Sequence, residues 1–262
     1  QMSFTKVILT EGPHRRIQSS DRIPTRPDLD SPLAGSIPSV NLWRSSQHRA
    51  QRGASTAVSI KPDYDIDAWR SRIPILDTAI PMNNCSQAPQ VDTVREAAER
   101  YLNSWGSDGM DWNEWIAEVD RARAEFARLI NAAPEDVAVC SSVSHATAAV
   151  ACAMSLDGER DTVVVSKAEF PTVGHVWMAR ARGGARLRWV SVENGEIDPD
   201  RYTEAMDGSV ALVSACHGYY QTGFKQDLDT LVDIAHGAGA LLFVDAYQTL
   251  GTHPIDVQSL DL

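Results

Sequence analysis

The sequence predicts an α/β fold: three layers, α-β-α, with helices on both faces of a mostly parallel sheet. Three observations carry this. From Pro134 onward, short strand-like runs alternate with helix-like runs. The strand-like runs are nearly continuous in Val and Leu, as strands covered on both faces require. Glycines close several of the helix-like runs.

The elements follow in order. Residues 1–60 have little periodicity; Pro13, Pro24, Pro27, Pro32 and Pro38 punctuate a stretch rich in Ser and Arg, which reads as a loosely attached head. Residues 61–133 form a second segment. Order is expected to begin near Tyr64–Trp69, and Ile73–Leu76 reads as a short extended piece before a polar turn, Asn83-Asn-Cys-Ser86. Val91, Val94, Ala98, Tyr101 and Trp105 recur at helical spacing, as do Trp115, Val119, Ala122, Phe126 and Leu129. Each set makes an apolar stripe suited to packing on a core. Asp92 and Asp111 are the expected N-caps, with Gly106 and Gly109 separating the two helices.

Residues 134–262 hold the alternating part. Strands are expected at Val137–Cys140, Thr162–Val165, Arg186–Val192, Val210–Val213 and Ala240–Val244. Helices are expected at Ser144–Leu156, Thr172–Arg182, Asp198–Met206 with Pro199 in its first turn, and Asp227–His236.

Charge narrows the function. The net charge is −11, yet residues 1–60 hold eight Lys/Arg against four Asp/Glu. The acidic body argues against nucleic acid as the main partner. Four cysteines without a C-x-x-C pair read as reduced thiols, so the cytoplasm is the expected compartment. No apolar run reaches the length of a membrane span, and the start lacks a secretory apolar region. Cys216 and His217 are adjacent, which suits opposite faces of a strand rather than one metal site.

Ligands of parallel sheets sit at the carboxyl ends of the strands. Four short stretches therefore matter: 141–144, 166–170, 214–217 and 245–248. Asp245 ends a buried strand. It either caps a nearby loop or holds a pyridinium nitrogen protonated, which makes the ring an electron sink. Gln248 is either an ordinary loop residue or a hydrogen-bond partner for a ring oxygen. In Cys140-Ser-Ser-Val-Ser-His-Ala146 a strand runs through hydroxyl residues into a helix, whose free N–H groups suit a phosphate; Ser144 also suits the cap. Phe170, in Glu169-Phe-Pro-Thr172, is either core or a platform for a flat ring.

Taken together, the serine turn, Glu169-Phe-Pro-Thr172, Ser214-Ala-Cys-His217 with Gly223-Phe224, and Val244-Asp-Ala-Tyr-Gln248 with Gly251-Thr-His-Pro-Ile-Asp256 resemble the class V aminotransferase family. Its members include cysteine desulfurases, kynureninases and isopenicillin-N-epimerase-like enzymes. Asn83-Asn-Cys-Ser-Gln-Ala-Pro89 is similar to the family's N-terminal active-site turn, and Trp105–Trp115 to its kynureninase-like members. The resemblance spans roughly residues 73–262.

It implies the large domain of a fold type I enzyme that uses pyridoxal 5′-phosphate on a small amino-acid substrate, by transamination, sulfur or side-chain removal, or epimerisation. It implies that Val143 and Ser144 bind the phosphate, Phe170 stacks on the ring, Asp245 pairs with the ring nitrogen and Gln248 meets the phenolic oxygen. Asn84 is expected near the substrate and His217 and Tyr220 near the cofactor, while Cys85, where relatives carry a small residue, is either a packed small residue or a reactive thiol. A homodimer is implied as well. The departure is the Schiff-base lysine. The chain has Lys6, Lys61, Lys167 and Lys225, and none follows Asp245. The lysine strand and a small C-terminal domain are therefore expected beyond Leu262, with this chain alone inactive. The alternative is a lysine-free binding or assembly partner of the same fold.

Overall fold

The computed structural model describes residues 7–10, 65–82, 84 and 87–262. The other expectations for the head, and those for Asn83, Cys85 and Ser86, lie outside these residues. The α/β class expected from the sequence is the observed one. Among the described residues, five strands form one sheet: β1 (Val7–Thr10), β2 (Thr162–Ser166), β3 (Arg186–Val190), β4 (Val210–Cys216) and β5 (Leu241–Asp245). Their order is β1-β5-β4-β2-β3. Strands β2 to β5 run parallel, and β1 pairs antiparallel to β5 with Val7 opposite Asp245.

The helices are α1 (Ile66–Ser71), α2 (Asp92–Asp108), α3 (Trp112–Ile130), α4 (Val143–Ala153), α5 (Pro171–Ala181), α6 (Pro199–Ala205) and α7 (Leu228–Gly237). None of the described helices is long and apolar enough to cross a membrane.

Strand periodicity explains the two cores. Successive side chains of a strand point to opposite faces. Val163 and Val165 of β2 therefore join Leu212, Phe243 and, from α4 and α5, Ala151, Val173 and Trp177. Val164 joins Val213, Leu242 and Val244 on the other face, packed under Tyr202 of α6 and Leu228, Leu231 and Ala235 of α7. All five residues of β2 are buried. Burying such Val and Leu side chains contributes about 1.5–3 kcal/mol each.

Several local expectations are corrected. Within the head, Val7–Thr10 is a strand rather than loosely attached chain. A β-prone Val-Ile-Leu-Thr run beside the unpaired edge of β5 has backbone groups to satisfy there. Ile73–Leu76 is not extended: Pro74–Asp77 is a 3-10 turn, favoured by the fixed φ of Pro74 at its first position. Asp111 is the N-cap of α3, accepting from the Glu114 N–H at 3.1 Å. Asp92 is not a cap. It is the first residue of α2 and pairs with Arg72 at 2.8 Å. Gly106 lies inside α2, and Gly109, at φ +72°, ends it.

The apolar stripe of α2 does not sit on a core. No residue of α2 is buried, and Val94, Leu102 and Trp105 are each more than half exposed. Tyr101 instead meets Trp115 of α3, ring centroids 5.7 Å apart. The far end of α3 does reach the core, through Ala127 and Ile130. Val137–Cys140 is not a strand either. It has no sheet partner among the described residues. Instead Arg123 holds this approach, donating to the Val137 carbonyl at 2.8 Å and the Pro134 carbonyl at 2.9 Å.

Candidate active site

The strand order reverses at β2. The chain leaves β2 toward β3 on one side, then returns to β4 on the other. The loops after β2 and β4 therefore diverge and leave a crevice between them. A cleft of about 280 Å³ lies there. The first turn of α4, the loops after β2 and β4, and the end of β5 all contribute to its wall.

Ser142, Val143 and Ser144 bring the start of α4 to the cleft. Ser142, rather than Ser144, is the N-cap: its extended backbone lets Oγ accept from the His145 N–H at 3.1 Å. The sequence placed the cap two residues late because both positions are serine. The first N–H groups of any helix lack intrahelical partners, and the helix dipole adds partial positive charge there. This edge of the cleft is therefore suited to an anion.

The loop after β2 supplies Ala168 and Phe170. Phe170 is 45% exposed and meets Tyr220 edge-on at 5.2 Å between centroids. Gly218 also lines the cleft. A Cβ there would lie 2.7 Å from Thr249 Cγ2 and 3.3 Å from Gln248 Cβ, so a larger residue would displace the Gln248 loop.

Asp245 closes β5 and lines the cleft while only 5% exposed. Its Oδ1 accepts from the Tyr247 N–H at 2.9 Å. Burial pushes its carboxyl above the usual range, and the Tyr247 hydrogen bond pulls the other way. Gln248 lines the same wall.

Five of the residues singled out from sequence thus share one cleft with Tyr220: Val143, Ser144, Phe170, Asp245 and Gln248. Two do not line it. His217 is buried behind the wall, its Nδ1 2.8 Å from Thr249 Oγ1. Burial first, then Lys225 and His253, lower it to about 4, so it is neutral at physiological pH. Its main chain ties β4 to β5, donating to the Asp245 carbonyl at 2.9 Å. Asn84 is exposed in the turn before α2. Lys167 and Lys225 are both exposed, and neither lines the cleft.

Sequence reasoning missed Glu169 and the group that holds it. Trp177 Nε1 donates to Ser214 Oγ at 3.0 Å, and Ser214 Oγ donates to Glu169 Oε1 at 2.9 Å, all three buried. The Cys216 thiol donates to the Ala168 carbonyl at 3.3 Å, a second tie between β4 and the Phe170 loop. Burial pushes the Cys216 thiol up, and Glu169 and Asp245 push it further. That makes it an inert, protonated thiol. The available signal was an acidic residue three positions after an all-buried strand, between Ala168 and Phe170.

The comparisons with known proteins point to one family and fold. The family model for class-V aminotransferases matches residues 83–262. The "Uncharacterized aminotransferase YcbU" of Bacillus subtilis is 34% identical over 192 residues, covering 73% of this chain and 51% of that protein. The kynureninase of Deinococcus radiodurans is 31% identical over 181 residues, 68% of this chain and 42% of its own. A "Probable cysteine desulfurase" of Methanothermobacter thermautotrophicus is 28% identical and covers 73% and 49%. The chain spans about half the length of the curated relatives it matches. Among solved structures, a variant of C-DES with glycine covalently linked to its PLP cofactor aligns with a TM-score of 0.66 at 20% identity, over 74% of this chain and 53% of that one. A cysteine desulfurase from Thermococcus onnurineus aligns with a TM-score of 0.64 at 22% identity, over 75% and 51%. These structures share the fold, and the family match covers most of the chain. The chain belongs to the class-V aminotransferase family.

Proposed function

We propose that the cleft holds pyridoxal 5′-phosphate and that the complete protein transforms an amino acid. One observation carries the reading. A helix N-terminus, a partly exposed aromatic ring and a buried aspartate converge on one cleft at the carboxyl end of a parallel sheet. The residues fit the group. The phosphate needs N–H donors and a hydroxyl, which Val143 and Ser144 supply. A flat pyridine ring needs a face, which Phe170 supplies. A protonated ring nitrogen needs a desolvated acceptor, and Asp245 is one. The Gln248 amide, in the same wall, would donate to the phenolic oxygen. Gly218 leaves that loop room to approach.

When bound, this cofactor supplies an electron sink for breaking a bond at the substrate α-carbon. The chain's own residues bind, orient and desolvate. Ionised Asp245 keeps the ring nitrogen protonated. Phe170, Ala168 and Tyr220 keep water from the ring. Transamination, sulfur or side-chain removal and epimerisation share these needs. Relatives described as a cysteine desulfurase and a kynureninase support a reaction within that range. No covalent step is assigned to Lys167 or Lys225, since both lie off the cleft. A homodimer is part of the same reading. Exposed Leu102, Trp105, Trp112 and Ile116 support it, because a second copy would cover them. Sedimentation measures it, and a monomer at micromolar concentration refutes it.

The cofactor reading is tested by titrating the protein with pyridoxal phosphate and following tryptophan fluorescence. Saturable binding, competed by inorganic phosphate, is the expected result. Quenching that never saturates, or that phosphate leaves unchanged, refutes it.

A further inference from the structure

Beneath the cleft lies a carboxyl group that the proposed chemistry leaves unused. Glu169 stands between Ala168 and Phe170, both in the cleft wall, but its own side chain is buried and is not part of that wall. A carboxylate has about four lone-pair sites to satisfy. Glu169 receives one hydrogen bond, from Ser214 Oγ at 2.9 Å. Its Oε2 is buried and has no hydrogen-bond partner among the described residues. No Lys, Arg or His forms an ion pair with it among those residues.

The titratable groups that face it are Asp245 from β5, Cys216 from β4 and Tyr202 from α6. All three are acids, and none supplies a positive charge. An ionised Glu169 would thus be a desolvated charge with one donor and an acidic neighbour, the arrangement a buried group avoids by keeping its proton.

We propose that Glu169 is a neutral acid and a positioning residue: its proton leaves Asp245 to carry the negative charge of the cleft alone, and its bond to Ser214 pins the Phe170 loop to β4. The second carboxyl is thus a proton store rather than a second anion. Two buried carboxyls in electrostatic contact retain one proton between them over a wide pH range. Because Asp245 faces the cleft and Glu169 does not, the charge settles on Asp245 once a cationic ring nitrogen arrives. Burial, then the Asp245 charge, holds the Glu169 carboxyl well above the usual range, in the same direction as the geometry.

The role assigned to Asp245 rests on the cofactor reading above; the proton on Glu169 does not. The test therefore has two arms. Infrared difference spectra of the cofactor-free protein, wild type minus Glu169→Gln, are recorded from about pH 5 to about pH 9. A protonated-carboxyl band present throughout in the wild type and missing in the variant is expected. Its absence at neutral pH overturns the proposal. Should the variant not fold, wild-type protein labelled with 13C at glutamate carboxyls decides the same point, through one resonance that stays at its protonated position at neutral pH.

In the second arm, pyridoxal phosphate binding is measured against pH for both proteins. A neutral Glu169 predicts affinities within about twofold and an unchanged pH midpoint. A midpoint lowered by about one pH unit or more in the variant means that a charge was removed beside Asp245, and overturns the proposal. Failure of both proteins to bind, with the infrared band in place, refutes the cofactor reading and leaves the neutral acid standing.

Discussion

Replacing Asp245 with Asn separates its two readings, because they predict opposite signs. Asp245 is buried, and among the described residues its carboxyl accepts one hydrogen bond, from the Tyr247 N–H at 2.9 Å. Asn keeps that acceptor and removes the charge. Burial raises the Asp245 carboxyl above its ordinary value. An acid raised in the folded state binds more protons folded than unfolded between its two values. Stability is then fully present below the unfolded value, near 4 for Asp, and falls as pH rises toward the folded one. The slope approaches about 1.4 kcal/mol per pH unit for one full proton.

The variant should lose this part of the slope, so in the empty state it should be as stable as wild type below about pH 4, and more stable at pH 8 by about 1.4 kcal/mol for each pH unit by which burial raises the carboxyl. Cofactor binding should move the other way. A hydrogen bond to a charged partner contributes about 1.5–3 kcal/mol, so the dissociation constant should rise about tenfold to hundredfold. Urea unfolding at several pH values measures the first effect and fluorescence titration the second. If Asp245→Asn costs more than about 1 kcal/mol at every pH and binds the cofactor as wild type does, Asp245 is a loop cap and the electronic role is wrong.

The remaining predictions concern other parts of the cleft. Ser142→Ala removes the acceptor of the His145 N–H and should cost about 0.5–2 kcal/mol, read as a lower urea midpoint with unchanged slope. Phe170→Ala should change stability by less than about 1 kcal/mol, because the ring is nearly half exposed, while weakening cofactor binding several-fold. Equal losses in both would make it a core residue. Gly218→Ala would bring a Cβ to 2.7 Å from Thr249 Cγ2, an overpacking that should cost about 1–3 kcal/mol in chemical unfolding and weaken cofactor binding by moving Gln248.

How much of this was legible in the sequence depended on whether the signal was local. The buried strands were legible because Thr162–Val165 and Val210–Val213 are continuous apolar runs, which a sheet covered on both faces demands. Strand β4 extends to Cys216 because Ser214, Ala215 and Cys216 pair with Phe243, Val244 and Asp245; those partners lie some thirty residues away, out of reach of any local pattern. Val137–Cys140 failed for the converse reason. Its Val-Ala-Val pattern is strand-like, but a strand exists only with a neighbour, and here Arg123 takes its carbonyl. The stripe of α2 specified a helix correctly and its packing wrongly. A periodicity of 3.6 fixes which residues share a face, not what that face touches.

The site follows the same rule. Val143, Ser144, Phe170, Asp245 and Gln248 were legible because each stands just past a strand or at a helix start, where the parallel-sheet rule directs attention. The structure adds that all five border one cleft, which depends on strand order, and strand order has no local signature. His217 shows the limit of adjacency. It stands just past β4 and one residue from Gly218 in the cleft wall, yet its ring is buried against Thr249. Alternation decides this: neighbours along an extended chain face opposite ways. Glu169 shows the opposite error. Lying between two cleft residues, it reads as polar loop, but its carboxyl is buried against Ser214. After β2 the chain turns at once, the Glu169 N–H donating to the Ser166 carbonyl at 3.2 Å, so the local turn rather than the strand pattern carries Glu169 inward. The turn past β2 and the alternation past β4 thus put Ala168 and Phe170, and Cys216 and Gly218, in the cleft wall, with Glu169 and His217 behind it.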